Sequence, residues 1–264
     1  MLKNIIKSNK YLFYLALCYK ESKLKKIINL NVKEKEYLEM LLKDGVVVIP
    51  NFFSEEQCKE MINSFEEIDE KYAKFYDNDK RIFGIEKLSE VHRKLFYNEE
   101  FFKKIGEAYL SDELILQTTM AAKIIAQDNQ NYGSGGGWHR DSFSRQFKAI
   151  AYLDDVKMEN GPFMYIKGSH TLKNIKNILF KLKNHKPISN FRYTNEEIEE
   201  CCKILNKEIT YFTAPKGTLV LADIRGLHTG MPIKEGHRYS VFNYYIAKSF
   251  HQPNNNIEKL ANHK

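Results

Sequence analysis

His139 and Asp141 stand two residues apart in Trp138-His-Arg-Asp141. On an extended strand, residues i and i+2 project to the same face, so one imidazole and one carboxylate can aim at a single point. A third donor must come from elsewhere, and His228 is the best candidate. Two imidazoles and a carboxylate on one face of a metal form the facial arrangement of mononuclear Fe(II) sites, which leaves the other positions open for a cosubstrate and O2. A bare His-x-Asp is common by chance, on surfaces and in hydrogen-bonded cores. His-Arg-Asp also occurs in the catalytic loop of protein kinases. That loop needs Asn five residues after the Asp, where Gln146 stands, and a glycine-rich loop with a Val-Ala-Ile-Lys strand upstream, which the chain lacks.

The elements that must position these residues sit in a chain of 264 residues, a length that a single large β domain with helical additions can fill. Its 43% apolar and 28% charged residues are those of a soluble globular protein. The four cysteines, at 18, 58, 201 and 202, show no zinc-finger spacing, and the expectation is reduced thiols in a cytoplasmic protein. The net charge is +7, and residues 1–30 carry seven lysines against Glu21 alone, so six of the seven charges lie there. A basic arm on a near-neutral body points away from nucleic acid. The apolar run 11–19 behind a lysine-rich start imitates a signal peptide, but no small-residue cleavage site follows it. It is also short of the ~20 residues that span a bilayer. It reads as a helix packed on the domain, or as an amphipathic helix in peripheral contact with an anionic membrane.

Residues 33–43 have helical spacing, and Val46-Val-Val-Ile49 is a buried strand. Ser54-Glu-Glu-Gln57 is a capping box opening a helix that the periodicity carries to about Lys74. Residues 86–110 are helical in pattern, and Leu114–Gln127 alternates as a long strand. Gln117 and Lys123 share that strand's more polar face, which either lines a pocket or meets solvent. The Gly/Ser run 133–137 is a connector or an access gate beside the first ligand. Strands follow over 147–153, 163–166, 218–222 and 238–246. Residues 171–208 interrupt the β pattern with two lysine-rich helical pieces, read as a lid or rim. The organisation expected is a basic helical arm (1–35), one β domain (36–250) with that insertion, and a polar tail (251–264). Of the other histidines, His170 reads as a structural turn residue and His237 points away from Arg238, while His92, His185, His251 and His263 read as surface.

In this order the motifs resemble the phytanoyl-CoA dioxygenase-like (PhyH) family of Fe(II)/2-oxoglutarate oxygenases. The likeness rests on Asp44–Gln57, Trp138–Asp141, Tyr152–Asp155 with Asn160-Gly-Pro162, Gly168-Ser-His170, and His228 with Arg238-Tyr-Ser240, and covers roughly residues 40–250. It implies a mainly β fold with flanking helices around a double-stranded β-helix, a jelly-roll and cupin relative. It implies His139, Asp141 and His228 as iron ligands. It also implies Arg238 as the clamp on the far carboxylate of 2-oxoglutarate, a role that suits the guanidinium fork. Ser240, on the same strand face, can add a hydroxyl donor, and Gln117 is a further candidate for cosubstrate contact. Phe143 and Arg145 are candidates for substrate contact, and Arg140, Arg145 and Lys148 suggest an anionic substrate group. Lys167 stands where the family has Pro, and Arg140 where it has Gln. Asp141 is a carboxylate rather than Ala or Gly, which argues against a halogenating variant.

The activity implied is hydroxylation of a C–H bond in a small-molecule, lipid-linked or carrier-conjugated substrate, with 2-oxoglutarate and O2 converted to succinate and CO2. The competing expectation is a non-catalytic jelly-roll scaffold that kept the fold.

Overall fold

The structure is a computed structural model that describes residues 9–22, 28–76, 79–126, 137–183, 188–251 and 256–261. Most of the Gly/Ser run, the lysines at 23, 25 and 26, His185, His263 and half of the tail lie outside the described residues. The chain passes through helices α1 (Lys10–Ser22) and α2 (Val32–Asp44), strand β1 (Val46–Ile49), helix α3 (Glu55–Glu66), and strands β2 (Lys74–Tyr76) and β3 (Asp79–Phe83). Helix α4 (Glu100–Leu110), strands β4 (Leu114–Ile125), β5 (Gln146–Tyr152) and β6 (Phe163–Ile166), and helices α5 (Leu172–Lys181) and α6 (Asn195–Leu205) follow. Strands β7 (Ile209–Phe212), β8 (Leu219–Ala222), β9 (His228–Gly230) and β10 (His237–Ala247) complete the frame.

Caps set several of these boundaries. Asn31 with Glu34, Ser54 with Gln57, and Thr194 with Glu197 form reciprocal capping boxes at α2, α3 and α6. Gly45 ends α2 with φ of +80°, where a Cβ would strike His170 and Tyr165, so the chain turns straight into β1.

Every pairing is antiparallel. One sheet runs β1-β8-β5-β10-β4-β3-β2, the other β7-β6-β9. Strand alternation divides the large sheet into two apolar faces. On one, Ala121, Phe147, Ala149, Leu221 and Val241 pack beneath the helices, against Leu41, Met61, Phe65, Phe102 and Ile105. On the other, Ile150, Tyr152 and Val220 meet Phe163, Tyr165 and Phe212 of the small sheet. Two facing antiparallel sheets with helices outside form the expected double-stranded β-helix.

Three sequence expectations need correction. Helix α3 stops at Glu66, and the segment after it forms the β2–β3 hairpin instead of more helix. The 86–110 stretch is broken: a short turn at Glu90–His92 and a wide turn at Arg93–Tyr97 precede α4. The insertion is mainly a backing layer. Ile178, Leu182, Ile198 and Cys201 pack on Met164 and Ile166, behind the small sheet, and among the described residues of the insertion only 189–192 reach the rim of the cavity between the sheets.

Helix α1 does not stand apart as an arm. Phe13 meets Phe143 edge-on at 5.1 Å, Tyr11 lies 4.6 Å from Phe180, and Lys10 Nζ donates to Leu179 O at 2.7 Å. Its Glu21 carboxylate pairs with the buried Arg225 and lies 3.3 Å from Arg145 Nε. Removing one partner of a buried ion pair leaves the other charge uncompensated. Glu21→Ala is therefore expected to cost about 3 kcal/mol in denaturant unfolding, the lower end for such losses because Asp223 still faces Arg225. Among the described residues, no helix is long and apolar enough to cross a membrane.

Candidate metal centre and cosubstrate site

His139 belongs to no long strand. Its N–H and C=O exchange hydrogen bonds with the backbone of His228, each at 3.0 Å. On the same side Asp141 N–H reaches Ile224 O at 3.0 Å; on the other, Arg140 N–H donates to Phe191 O and Tyr193 N–H to Trp138 O, both at 2.9 Å. The 138–141 segment is thus threaded, extended, between 191–193 and 224–228. The i, i+2 rule then holds, and His139 and Asp141 project to one side.

The three predicted donors meet. His139 Nε2 is 3.2 Å and His228 Nε2 3.6 Å from Asp141 Oδ1, and one ligand atom from each residue falls within 4.8 Å of the others. His139 Nδ1 lies 2.8 Å from Gly137 O, and His228 Nδ1 2.9 Å from Gly226 O. A carbonyl only accepts, so each Nδ1 carries the proton and each Nε2 presents a lone pair. His228 Nε2 is buried with no hydrogen-bond partner among the described residues. Lone pairs of two imidazoles facing a carboxylate oxygen repel unless a cation sits between them, so this donor set fits Fe(II).

Electrostatics keep His228 and Asp141 in ligating form. Burial, with His139 beside it, lowers His228 to about 3. Burial alone would raise Asp141, but the Lys148 ammonium reverses this and holds its carboxyl well below the usual range. Lys148 Nζ takes the outer oxygen, Oδ2, at 3.0 Å, which leaves Oδ1 to the histidine side.

The β10 register places the cosubstrate candidates. Arg238 pairs with Ile124, and Ser240 lies between Ala122 and Tyr152. Both side chains line the same cavity as the triad, a space of about 620 Å³ between the sheets. That is within the ~300–1,000 Å³ of small-molecule sites. Arg238 is buried, and burial lowers its guanidinium. Ser240 Oγ is buried with no hydrogen-bond partner among the described residues, as a hydroxyl held ready for a ligand oxygen would be.

Of the other candidates, Lys148 lines the cavity, and the side chains of the rest are engaged elsewhere. Gln117 is skipped by a register shift, Tyr244 pairing with Thr118 and Tyr245 with Leu116, and it is not in the cavity wall. The polar face that Lys123 shares turns outward, where Lys123 meets Glu66 at 2.7 Å. The cavity takes the apolar face, Met120, Ala122 and Ile124, beside Arg238 and Ser240 of β10. Phe143 packs with Leu17, Ile175 and Ile188 beneath α1, away from the cavity. Arg145 is held by Glu21 and by Tyr109 O at 3.1 Å. Arg140 is buried on the far side of its segment, donating to the carbonyls of Ser169 and Arg225. His92, expected at the surface, is fully buried beside Ser89 Oγ at 2.9 Å, and burial lowers it to about 4. His170 is a buried structural residue whose Nε2 contacts Leu42 O at 3.2 Å.

Sequence reasoning missed Arg81, Tyr244 and the 189–192 rim, all of which line the cavity. Tyr244 was within reach, since 238, 240, 242 and 244 alternate on β10. Arg81 was not, because its strand had not been recognised.

Gly226 offers a local test. A Cβ there would overlap the Tyr165 hydroxyl and ring, and Tyr165 lies along His228 with ring planes 24° apart. Gly226→Ala is expected to lower stability by about 1–3 kcal/mol through overpacking. It should also weaken metal binding, read by Co(II) titration of the folded variant.

Comparisons with known proteins bear on the whole arrangement. No curated protein matches the sequence. Among solved structures, EctD from S. alaskensis, crystallised with 2-oxoglutarate and 5-hydroxyectoine, superposes with TM-score 0.63 at 18% identity over 85% of this chain and 80% of that one. HygX from Streptomyces hygroscopicus, with nickel and 2-oxoglutarate bound, gives 0.59 at 19% over 82% and 88%. The α-ketoglutarate-dependent epimerase SnoN from nogalamycin biosynthesis gives 0.60 at 14% over 81% and 83%. At such identities the likeness is one of fold. The sequence itself matches the family model for phytanoyl-CoA dioxygenase across residues 41–238, a span that holds all three metal donors and ends on the buried arginine. That match decides for an enzyme over a scaffold: the chain belongs to the phytanoyl-CoA dioxygenase (PhyH) family of Fe(II)/2-oxoglutarate-dependent oxygenases.

Proposed function

We propose that the protein hydroxylates a C–H bond of a small-molecule substrate bound between its two sheets. The observation that carries this is the convergence of both imidazole Nε2 atoms on Asp141 Oδ1, in one cavity with Arg238 and Ser240. His139, Asp141 and His228 would hold Fe(II). Arg238 and Ser240 would hold the distal carboxylate of 2-oxoglutarate. With both bound, the iron centre couples conversion of 2-oxoglutarate and O2 to succinate and CO2 with oxidation of the substrate. The protein's own part is placement and exclusion of water. Phe83, Met120, Ile150, Phe163 and Phe242 wall the cavity, and Lys148 restrains the outer oxygen of Asp141. A conjugated substrate would enter past the 189–192 rim.

An anaerobic titration with Fe(II) and then 2-oxoglutarate tests the binding. A visible charge-transfer band, and succinate release once O2 is admitted, are expected. Labelled O2 tests the outcome: a product carrying the label supports hydroxylation, whereas an oxidised or rearranged product without it replaces that reading with another oxidation.

We also propose, for a cytoplasmic protein, peripheral membrane contact through α1. Tyr11, Leu12, Leu15 and Tyr19 are exposed on a helix that also carries Lys10 and Lys20. An apolar face bordered by lysines suits an anionic lipid surface and a lipid-linked substrate. Deleting the arm would also remove Glu21, so a Leu12→Glu/Leu15→Glu variant is the cleaner probe. It should lose co-sedimentation with phosphatidylserine vesicles while keeping its melting temperature, and unchanged co-sedimentation rejects the contact.

A further inference from the structure

The cavity contains two cations and a phenol outside the three metal donors and the Arg238–Ser240 pair: Lys148, which also meets Asp141 Oδ2 at 3.0 Å, Arg81 and Tyr244. Lys148 and Arg81 leave only 10% and 17% of their side chains exposed. Lys148 Nζ stands 4.5 Å from the centre of the Tyr244 ring. The nearest partner of the Tyr244 hydroxyl is Met120 Sδ at 3.9 Å, a poor acceptor. Arg81 donates Nη2 to Asp79 Oδ2 at 2.7 Å, but its Nε is buried with no hydrogen-bond partner among the described residues. All three side chains line the one cavity; burial raises the Tyr244 phenol, and Lys148 and Arg81 both act against that shift.

Register separates Lys148 and Tyr244 from the cosubstrate clamp. Lys148 pairs with Tyr244, and Tyr152 with Ser240, so the two rows lie four residues apart on β5, ~13 Å along the strand. Arg81 faces the Ser240 row from two strands away, across Ala122, ~10 Å to the side.

The charges decide what such a space would take. With the site loaded as proposed above, the two positive charges of the iron and that of Arg238 offset Asp141 and the two carboxylates of 2-oxoglutarate. Asp79 balances Arg81. The loaded cavity then keeps one net positive charge among Phe83, Met120, Ile150 and Phe242, on the side where Lys148 meets Asp141 Oδ2 at 3.0 Å. A buried charge without an opposite one is costly, so the loaded cavity favours a ligand that brings an anion. We propose that the substrate carries an anionic group, a carboxylate or a phosphate monoester, held between Lys148 and Tyr244 with Arg81 opposite, and an apolar body against Met120 and Phe242. This rests on the oxygenase reading.

The test uses the full chain loaded with Ni(II) and saturating 2-oxoglutarate. Octanoate, octyl phosphate, octanol and octylamine are titrated in turn by calorimetry. Octanoate or octyl phosphate should bind and the neutral and cationic probes should not, and the better of the two anions identifies the head group. Lys148→Met and Arg81→Met should each weaken that anion by about tenfold or more, the scale of losing one partner of a desolvated charge pair. Neither should weaken 2-oxoglutarate as much, which a direct titration of the diacid reads. Melting curves identify a variant that has not folded, and Arg81→Met then decides alone. Equal binding of octanol, absence of binding by every probe, displacement of 2-oxoglutarate by the anion, or variants that lose the diacid and keep the probe would each overturn the proposal. Failure of the wild-type protein to bind Ni(II) or 2-oxoglutarate is a different result: it rejects the oxygenase reading, and this inference with it.

Discussion

Asp141→Ala is expected to abolish turnover and to weaken ferrous-ion binding by more than ~100-fold, beyond the 10–100-fold that loss of an outer-shell partner costs. The carboxylate is the only anion in the donor set. Its Oδ1 is the atom on which both imidazoles converge, at 3.2 and 3.6 Å. Without it, two neutral imidazoles remain, and nothing opposes the positive charge that Lys148 places beside the site. The same substitution leaves Lys148 buried without its acid, so part of the damage would be loss of stability. Pairing Asp141→Ala with Lys148→Met separates the two effects. The double variant should recover much of the lost melting temperature, because the uncompensated ammonium is gone. It should not recover metal binding, because the ligand is still missing. If Fe(II) affinity survives in Asp141→Ala as measured by anaerobic titration, the three side chains are not the metal centre.

The sequence carried the metal donors further than it carried the pocket around them. His139 and Asp141 were legible because the two-residue period of extended backbone is local: any strand-like segment puts them on one side. His228 became legible through the order of motifs, and its meeting with His139 is made by two backbone hydrogen bonds between segments 89 residues apart, a pairing no periodicity contains. Arg238 and Ser240 followed from the same local rule as the first pair. Gln117 failed because the cavity takes the opposite face of β4, that of Met120, Ala122 and Ile124, and a bulge removes Gln117 from the register besides. Lys123 shares that outward face. On a strand covered on both faces, a lysine can reach the edge of the helical layer and pair with Glu66, so polarity does not identify the ligand side. Phe143 and Arg145 were placed near the substrate because they follow Asp141 closely. The chain leaves the cavity immediately after that ligand, and α1 covers them. Nothing in residues 10–22 alone announces that role, since Glu21 meets Arg225 across a separation of 204 positions.

Arg238→Met is expected to have the second largest effect, and on a different quantity. The guanidinium is buried on the cavity side of β10 with Ser240 two residues on, whose hydroxyl has no other partner among the described residues. Removing one partner of a buried, hydrogen-bonded charge pair costs about 2–5 kcal/mol. That corresponds to roughly a 30-fold to several-thousandfold rise in the dissociation constant of 2-oxoglutarate. Met keeps the apolar stem and removes the fork, so the fold should persist, and Fe(II) alone should bind as in the wild type because no donor has been touched. Arg238→Lys keeps the charge but cannot make two parallel bonds to one carboxylate, and should recover only part of the loss. Ser240→Ala should add a smaller penalty, of about tenfold at most, for one neutral donor. This ordering, with Met worst, Lys intermediate and Ser240→Ala mildest, distinguishes a bidentate clamp from a general positive field. A field would make Arg238→Lys nearly silent and would let Arg81 compensate. Unimpaired 2-oxoglutarate binding in Arg238→Met, with metal binding intact, would move the diacid to the Lys148 side of the cavity and leave Arg238 as a buried structural cation.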